Sequence, residues 1–175
     1  MRGDMSANAL RLREVEYTDK EALIAANKAN RAFHMPWSAP FCDEAGFRQW
    51  FSSCIGDDAK GFIALEVHTG AIVGVLTLSQ IVRGNFCSAY LGYYGMQETA
   101  GRGLMTTAVR RVVSAAFGPL GLHRVEANIQ PGNKRSIALV KRVGFEKEGF
   151  SPAYLRINGQ WRDHERWAIR PELLL

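Results

Sequence analysis

Residues 90–117 read YLGYYGMQETAGRGLMTTAVRRVVSAAF. An apolar, aromatic strand runs into a turn with two glycines one residue apart, Gly101 and Gly103, and a helical pattern starts at once. This join restricts the fold more than any other segment. Glycines let successive backbone N–H groups converge on one point, and a helix start adds unpaired donors and the positive end of a dipole. The combination predicts an anion cradle, sized for a pyrophosphate, between a strand and the helix that follows it.

The rest of the chain supplies the frame. LRLREV, 10–15, alternates as a first strand. Thr18, with Glu21 three residues on, predicts the capped start of a helix that ends before Pro36. A second helix is expected over 43–54. Strands are expected near 61–67, 71–81 and 86–96, the first two joined by the turn at 68–70. Leu104, Met105, Ala108, Val109, Val112, Ala115 and Ala116 form one helical face, which Gly118 and Pro119 end. A strand at 123–129 and a short helix at 134–143 follow. Strands 153–157 and 160–169 flank Asn158-Gly159, a strong hairpin signal. The order β α α β β β α β α β β describes an α/β domain of the α+β kind. Its central sheet is mixed, largely antiparallel and flanked by helices. One domain over residues 1–175 is expected, with order in 1–8 left open.

Composition narrows the function. No apolar run approaches membrane-spanning length, and the N-terminus lacks the apolar core of a secretory signal. Cys42, Cys54 and Cys87 form no CxxC pair and read as reduced thiols of a cytoplasmic protein. The four histidines are scattered, so no metal site is expected. The net charge of +5 suits an anionic ligand, but acids and bases are interspersed, so direct nucleic-acid binding is not expected.

Three phosphate motifs compete for the glycine turn. A Walker loop needs Gly-Lys-Ser/Thr, and here Gly103-Leu104-Met105 stands instead. A dinucleotide fingerprint lacks its third glycine at Thr106, and antiparallel strands before it do not suit a doubly wound sheet. The third candidate is a family resemblance. AGRGLMTTAV resembles the acetyl-CoA loop of the GNAT superfamily of N-acetyltransferases. LGYYGM, HRVEANIQPGNKRSIALVKRVGFEKEG and INGQWRDH are similar to its RimJ/RimL branch, which acetylates the α-amino group of ribosomal-protein N-termini. The resemblance runs from the first strand to the last and sharpens from residue 90. The loop departs from the superfamily pattern at Ala100, where Gln or Arg is usual, and at Met105, where Gly or Ala is usual, though methionine is familiar there in the RimJ-like branch.

The resemblance implies acetyl-CoA as cofactor. Its pyrophosphate would be held by backbone amides of Gly101, Arg102, Gly103, Leu104, Met105 and Thr106. Arg102 is either a replacement phosphate contact or an ordinary exposed arginine. Pantetheine would lie in a gap between the strand ending near Met96 and the strand 124–129, paired with backbone groups of Tyr94, Gly95 and Met96. Many members use a tyrosine acid where this chain has Val140. Ser136 of Asn133-Lys134-Arg135-Ser136 then takes the acid role and Asn133 orients the cofactor, or the two simply cap a helix. Asn128 stands where some relatives carry a glutamate base, and Leu155 where the ribosomal branch carries another. Glu126, on the same face of its strand as Asn128, is the first candidate base. Its alternative is a structural ion pair with Arg124 or Arg156. His164 is the second candidate base. Phe33, Trp37, Tyr154 and Trp161 are expected around the acceptor. The expected acceptor is a primary amine, foremost a protein or ribosomal-protein N-terminus. A small amine, polyamine or amino-sugar is the alternative, as is a non-catalytic acyl-CoA-binding module. Monomer and homodimer both remain open.

Overall fold

A computed structural model describes residues 9–174, and the expectation about residues 1–8 lies outside them. Seven strands form one sheet: β1 (Leu10–Glu14), β2 (Lys60–Glu66), β3 (Ile72–Val82), β4 (Ser88–Gly95), β5 (Arg124–Ile129), β6 (Glu146–Ile157) and β7 (Gln160–Ile169). Their order is β1-β2-β3-β4-β5-β7-β6. Every pairing is antiparallel except β4 with β5. The helices are α1 (Lys20–Ala29), α2 (Arg31–His34), α3 (Glu44–Ser52), α4 (Leu104–Phe117) and α5 (Lys134–Val143). The expected mixed, largely antiparallel sheet is therefore present.

Strand alternation divides the core in two. Phe62 and Ala64 of β2, with Leu76 and Leu78 of β3, join Val109, Val112 and Val113 of α4 and Val140 and Val143 of α5. Ile63 of β2 and Val75 of β3 point the other way, to Leu23 of α1 and Phe47 of α3. The sheet is thus covered on both faces, with the glycine turn opening the helix of the larger core.

Local chemistry explains most element ends. Asp43 accepts the Gly46 N–H at 2.7 Å and caps α3. Gly144, at φ +114°, closes α5 in the left-handed conformation. Asn158 and Gly159, at φ +50° and +78°, make the β6–β7 turn with both central residues left-handed, as their identities require.

Two expectations are corrected. Thr18 does not cap the first helix. It lies within a 3-10 turn, Tyr17–Asp19, that precedes α1. Asp19 pairs with Arg13 on β1 and accepts the Glu16 N–H at 2.8 Å, which moves the cap two residues earlier. The penultimate strand also starts at Glu146 rather than 153. Its first half is a charged, largely exposed sheet edge with irregular register at Lys147/Gly149 and Ser151/Leu155, so it carries no apolar alternation.

Candidate active site

The parallel pairing of β4 and β5 covers only Ser88↔Arg124, Ala89↔Val125 and Tyr90↔Glu126. Both strands continue beyond it, and there they part. A cleft of about 1550 Å³ occupies the gap, running from the glycine turn past Tyr93 and Asn128 to Ser136 and His164. This is the splayed gap expected for pantetheine.

The ladder decides which backbone groups face it. The Met96 N–H donates to the Val73 carbonyl at 3.0 Å on the β3 side. With Val75 opposite Tyr94, alternation turns the polar groups of Tyr94 and Met96 toward β3 and those of Leu91, Tyr93 and Gly95 toward the gap. Of the expected trio only Gly95 offers its backbone to the cleft. Tyr94 and Met96 line it without free ladder groups. The Gly95 carbonyl in turn accepts from His34 Nε2 at 2.9 Å.

At the glycine turn, Gly101 and Gly103 have φ of +77° and +78°, and nothing lies within 4 Å of a Cβ at either. They are required for backbone shape and for open approach. The first rung of α4 runs from the Thr107 N–H to the Gly103 carbonyl, at 3.1 Å. The amides of Leu104, Met105 and Thr106 precede that rung and are the unsatisfied helix-start donors. Among the described residues the cleft lining includes Lys134, Arg135 and Arg142 and no carboxylate. Amide donors, a positive helix end and a cationic rim fit the pyrophosphate of CoA.

Arg102 does not line this cleft. Its guanidinium pairs with Glu66 at the end of β2, whose carboxylate also accepts from Thr69 at 2.7 Å. The Arg102 bond, then that of Thr69, holds the Glu66 carboxyl below its ordinary pKa. Here Arg102 braces the loop against the sheet.

The gap's other wall carries the polar chemistry. Asn133 Oδ1 accepts the Ser136 N–H at 3.2 Å and caps α5. That cap places Ser136 in the first turn, facing β4. Its Oγ lies 2.6 Å from the Tyr93 hydroxyl. Tyr93 is partly buried, and that burial pushes its phenol pKa above the ordinary range, with the Ser136 bond opposing. Val140 is fully buried in the core, so no acid arises at that position. Asn128 lines the cleft with a buried Oδ1 that has no hydrogen-bond partner.

Glu126 is not brought to the cleft. It belongs to the last closed pair, opposite Tyr90, below the point where the strands part. Its Oε1 lies 2.8 Å from Arg124 Nε, and Arg124 also holds Glu148. The structural ion pair has prevailed over the base role. His164, by contrast, lines the cleft. Its Nδ1 is 2.9 Å from the Arg162 carbonyl, which can only accept, so the neutral ring keeps its proton there and leaves Nε2 as acceptor.

At the acceptor end, Phe33 and Trp37 line the main cleft. Trp37 and Trp161 also flank an adjoining pocket of about 320 Å³. Tyr154 lines neither; its ring centroid sits 6.2 Å from that of His164. Leu155 occupies the cleft wall where a glutamate was one family option. Sequence reasoning missed Tyr93 and His34. The pair Tyr93-Tyr94 was visible, but not which phenol would meet α5.

Fold, splayed strands and glycine turn define an acyl-CoA-dependent transferase. The comparisons agree. Residues 9–146 match the acetyltransferase (GNAT) domain model. The chain is 36% identical over 174 residues to the [ribosomal protein uS5]-alanine N-acetyltransferase of Escherichia coli, covering 94% of this chain and 89% of that one. Two solved structures superpose closely. The ribosomal-protein-S5-alanine acetyltransferase of Vibrio fischeri gives a TM-score of 0.83 at 27% identity, covering 95% of this chain and 96% of that one. Mycobacterium smegmatis RimJ in complex with CoA-disulfide gives 0.84 at 28%, covering 95% and 84%. The chain belongs to the GNAT acetyltransferase family, close to its RimJ branch, and is an acetyl-CoA-dependent N-acetyltransferase.

Proposed function

We propose that the acetyl acceptor is the N-terminal α-amino group of a protein, foremost a ribosomal protein. The observation that carries this reading is the cleft lining. Among the described residues it holds neutral polar groups, apolar side chains and cations, with no carboxylate. A polyamine presents several positive charges and would need anionic partners along its length. A peptide N-terminus needs room for one neutral amine and for an extended backbone behind it. The pocket at Trp37 and Trp161 offers such room, and its one carboxylate, Asp163, already accepts the Ala153 N–H at 2.8 Å. The likeness to the uS5-alanine enzyme, over nearly the whole chain, supports the same acceptor class.

Bound acetyl-CoA supplies an acetyl group activated as a thioester. The chain's residues do the rest. Gly101–Thr106 hold the pyrophosphate through backbone donors, and Gly95 faces the pantetheine arm. Asn133, with Oδ1 engaged in the cap, meets the cofactor through Nδ2. His164 Nε2 takes the proton from the amine, directly or through water. Asn128 Oδ1, buried and unpaired, orients the amine or that water. Ser136 donates a proton to the departing sulfur. No enzyme nucleophile is required, so Cys42, Cys54 and Cys87 stay outside the chemistry. The reading places the protein in the cytoplasm, with its acceptors.

The test is an acceptor panel with acetyl-CoA: an alanine-initiated peptide, the same peptide with a blocked N-terminus, and spermidine. CoA release with the free peptide alone supports the proposal. Release with spermidine alone would reassign the acceptor, and tight CoA binding without any release would make the protein a binding module.

A further inference from the structure

We propose that Tyr93 is a positioning residue for acetyl transfer, holding the Ser136 hydroxyl so that its proton faces the cleft. This rests on the reading of Ser136 as the proton donor.

Ser136 is a poor acid by itself, and its hydroxyl can rotate. In the first turn of a helix it could turn back on the backbone, the ordinary habit of serine near a cap. The Tyr93 hydroxyl prevents this. It lies 2.6 Å from Ser136 Oγ and only 3.4 Å from the Ser136 carbonyl, so the side-chain contact is the shorter. A phenol is the stronger acid of the two, so the phenol O–H donates and Oγ accepts. The serine proton must then point elsewhere, and both residues line the cleft.

Strand alternation assigns the phenols of Tyr93 and Tyr94 to different tasks. Tyr94 turns to the opposite core, where its hydroxyl accepts from Asn27 at 3.2 Å. Tyr93 turns to α5, where its hydroxyl meets Ser136 Oγ at 2.6 Å, and burial raises its pKa and disfavours a phenolate. The Ser136 O–H bond breaks as the S–H bond forms, while Tyr93 strengthens its bond to the forming alkoxide. The proton lost by the attacking amine restores Ser136, so the cycle balances without a co-reactant.

The experiment compares Tyr93→Phe, Ser136→Ala and the double variant. Tyr93→Phe should lower kcat about tenfold, the size of one hydrogen bond to a developing charge. KM for acetyl-CoA, and the Kd for CoA by calorimetry without acceptor, should be unchanged. The double variant should be no slower than Ser136→Ala. In wild-type protein, proton NMR should show a slowly exchanging Tyr93 hydroxyl that disappears in Ser136→Ala. Full kcat in Tyr93→Phe, with Ser136→Ala impaired, would overturn this inference and leave the role of Ser136 intact. Full kcat in Ser136→Ala would instead remove the reading beneath it. A hydroxyl signal unmoved by Ser136→Ala would also count against the pair, whatever the variants do in turnover.

Discussion

Met105, at the start of α4, lies against Gly74 on β3. A methyl group on Gly74 would collide with the Met105 sulfur and stand 2.5 Å from the Tyr94 carbonyl oxygen. Gly95 gives the same side chain room from the next strand, where a Cβ would stand 3.0 Å from Met105 Cγ. The superfamily pattern places a small residue where this chain has Met105. Two glycines of the sheet accommodate the larger one, so the pyrophosphate loop can still close onto β3 and β4.

Gly74→Ala should therefore destabilise the fold by about 1–3 kcal/mol, the usual cost of overpacking. Gly92→Ala is the control, since nothing lies within 4 Å of a Cβ there. Thermal unfolding should show a lowered midpoint for the first variant and a near wild-type midpoint for the second.

Gly103→Val tests the anion cradle. A β-branched residue at φ +78° is strained by about 1–3 kcal/mol. The strain falls on the residue that begins α4, so CoA affinity should drop while the rest of the fold persists. Calorimetric titration with CoA measures this, and retained affinity would count against the loop as the pyrophosphate site.

Much of this could be read directly from the chain, and the failures share one cause. The Asn158-Gly159 turn, the bounds of α5 and the glycine turn are fixed by local chemistry, so residue identity is enough. Glu126 and Asn128 share a strand face, and only the length of the β4–β5 pairing decides that the strands part between them. The backbone directions of Tyr94 and Met96 likewise depend on the β3–β4 register. The Tyr93–Ser136 contact joins residues 43 positions apart. Non-local pairing settles each of these, and no window of sequence displays it.

Glu126→Gln follows from that lesson. Its carboxylate is engaged by Arg124 and lies below the cleft. Steady-state rates should stay near wild type, and stability should fall by less than about 1 kcal/mol because the pair is partly exposed. A loss of about a hundredfold in kcat, the scale of a missing general base, would return Glu126 to the mechanism.

His34 makes stability depend on pH. Its Nε2–H donates to the Gly95 carbonyl, and its buried Nδ1 has no partner. Burial, opposed by the Gly95 bond, lowers its pKa from the ordinary 6.5. The unfolded chain then binds this proton more readily, so stability rises with pH through this window. The contribution is complete above the unfolded value and is lost as pH falls below it toward the folded one. Denaturant unfolding of wild type and His34→Gln from pH 8 to pH 5 isolates the effect. The advantage of wild type over the variant should shrink below about pH 6.5. An advantage constant with pH would show that His34 carries no such linkage.

The most direct test of the central claim is where the acetyl group lands. An alanine-initiated peptide that also contains an internal lysine is incubated with the enzyme and acetyl-CoA, and tandem mass spectrometry locates the added mass. The account predicts one acetyl group on the terminal α-nitrogen and none on the lysine Nζ. Acetylation of the lysine alone, or of neither amine while spermidine is acetylated, would contradict it.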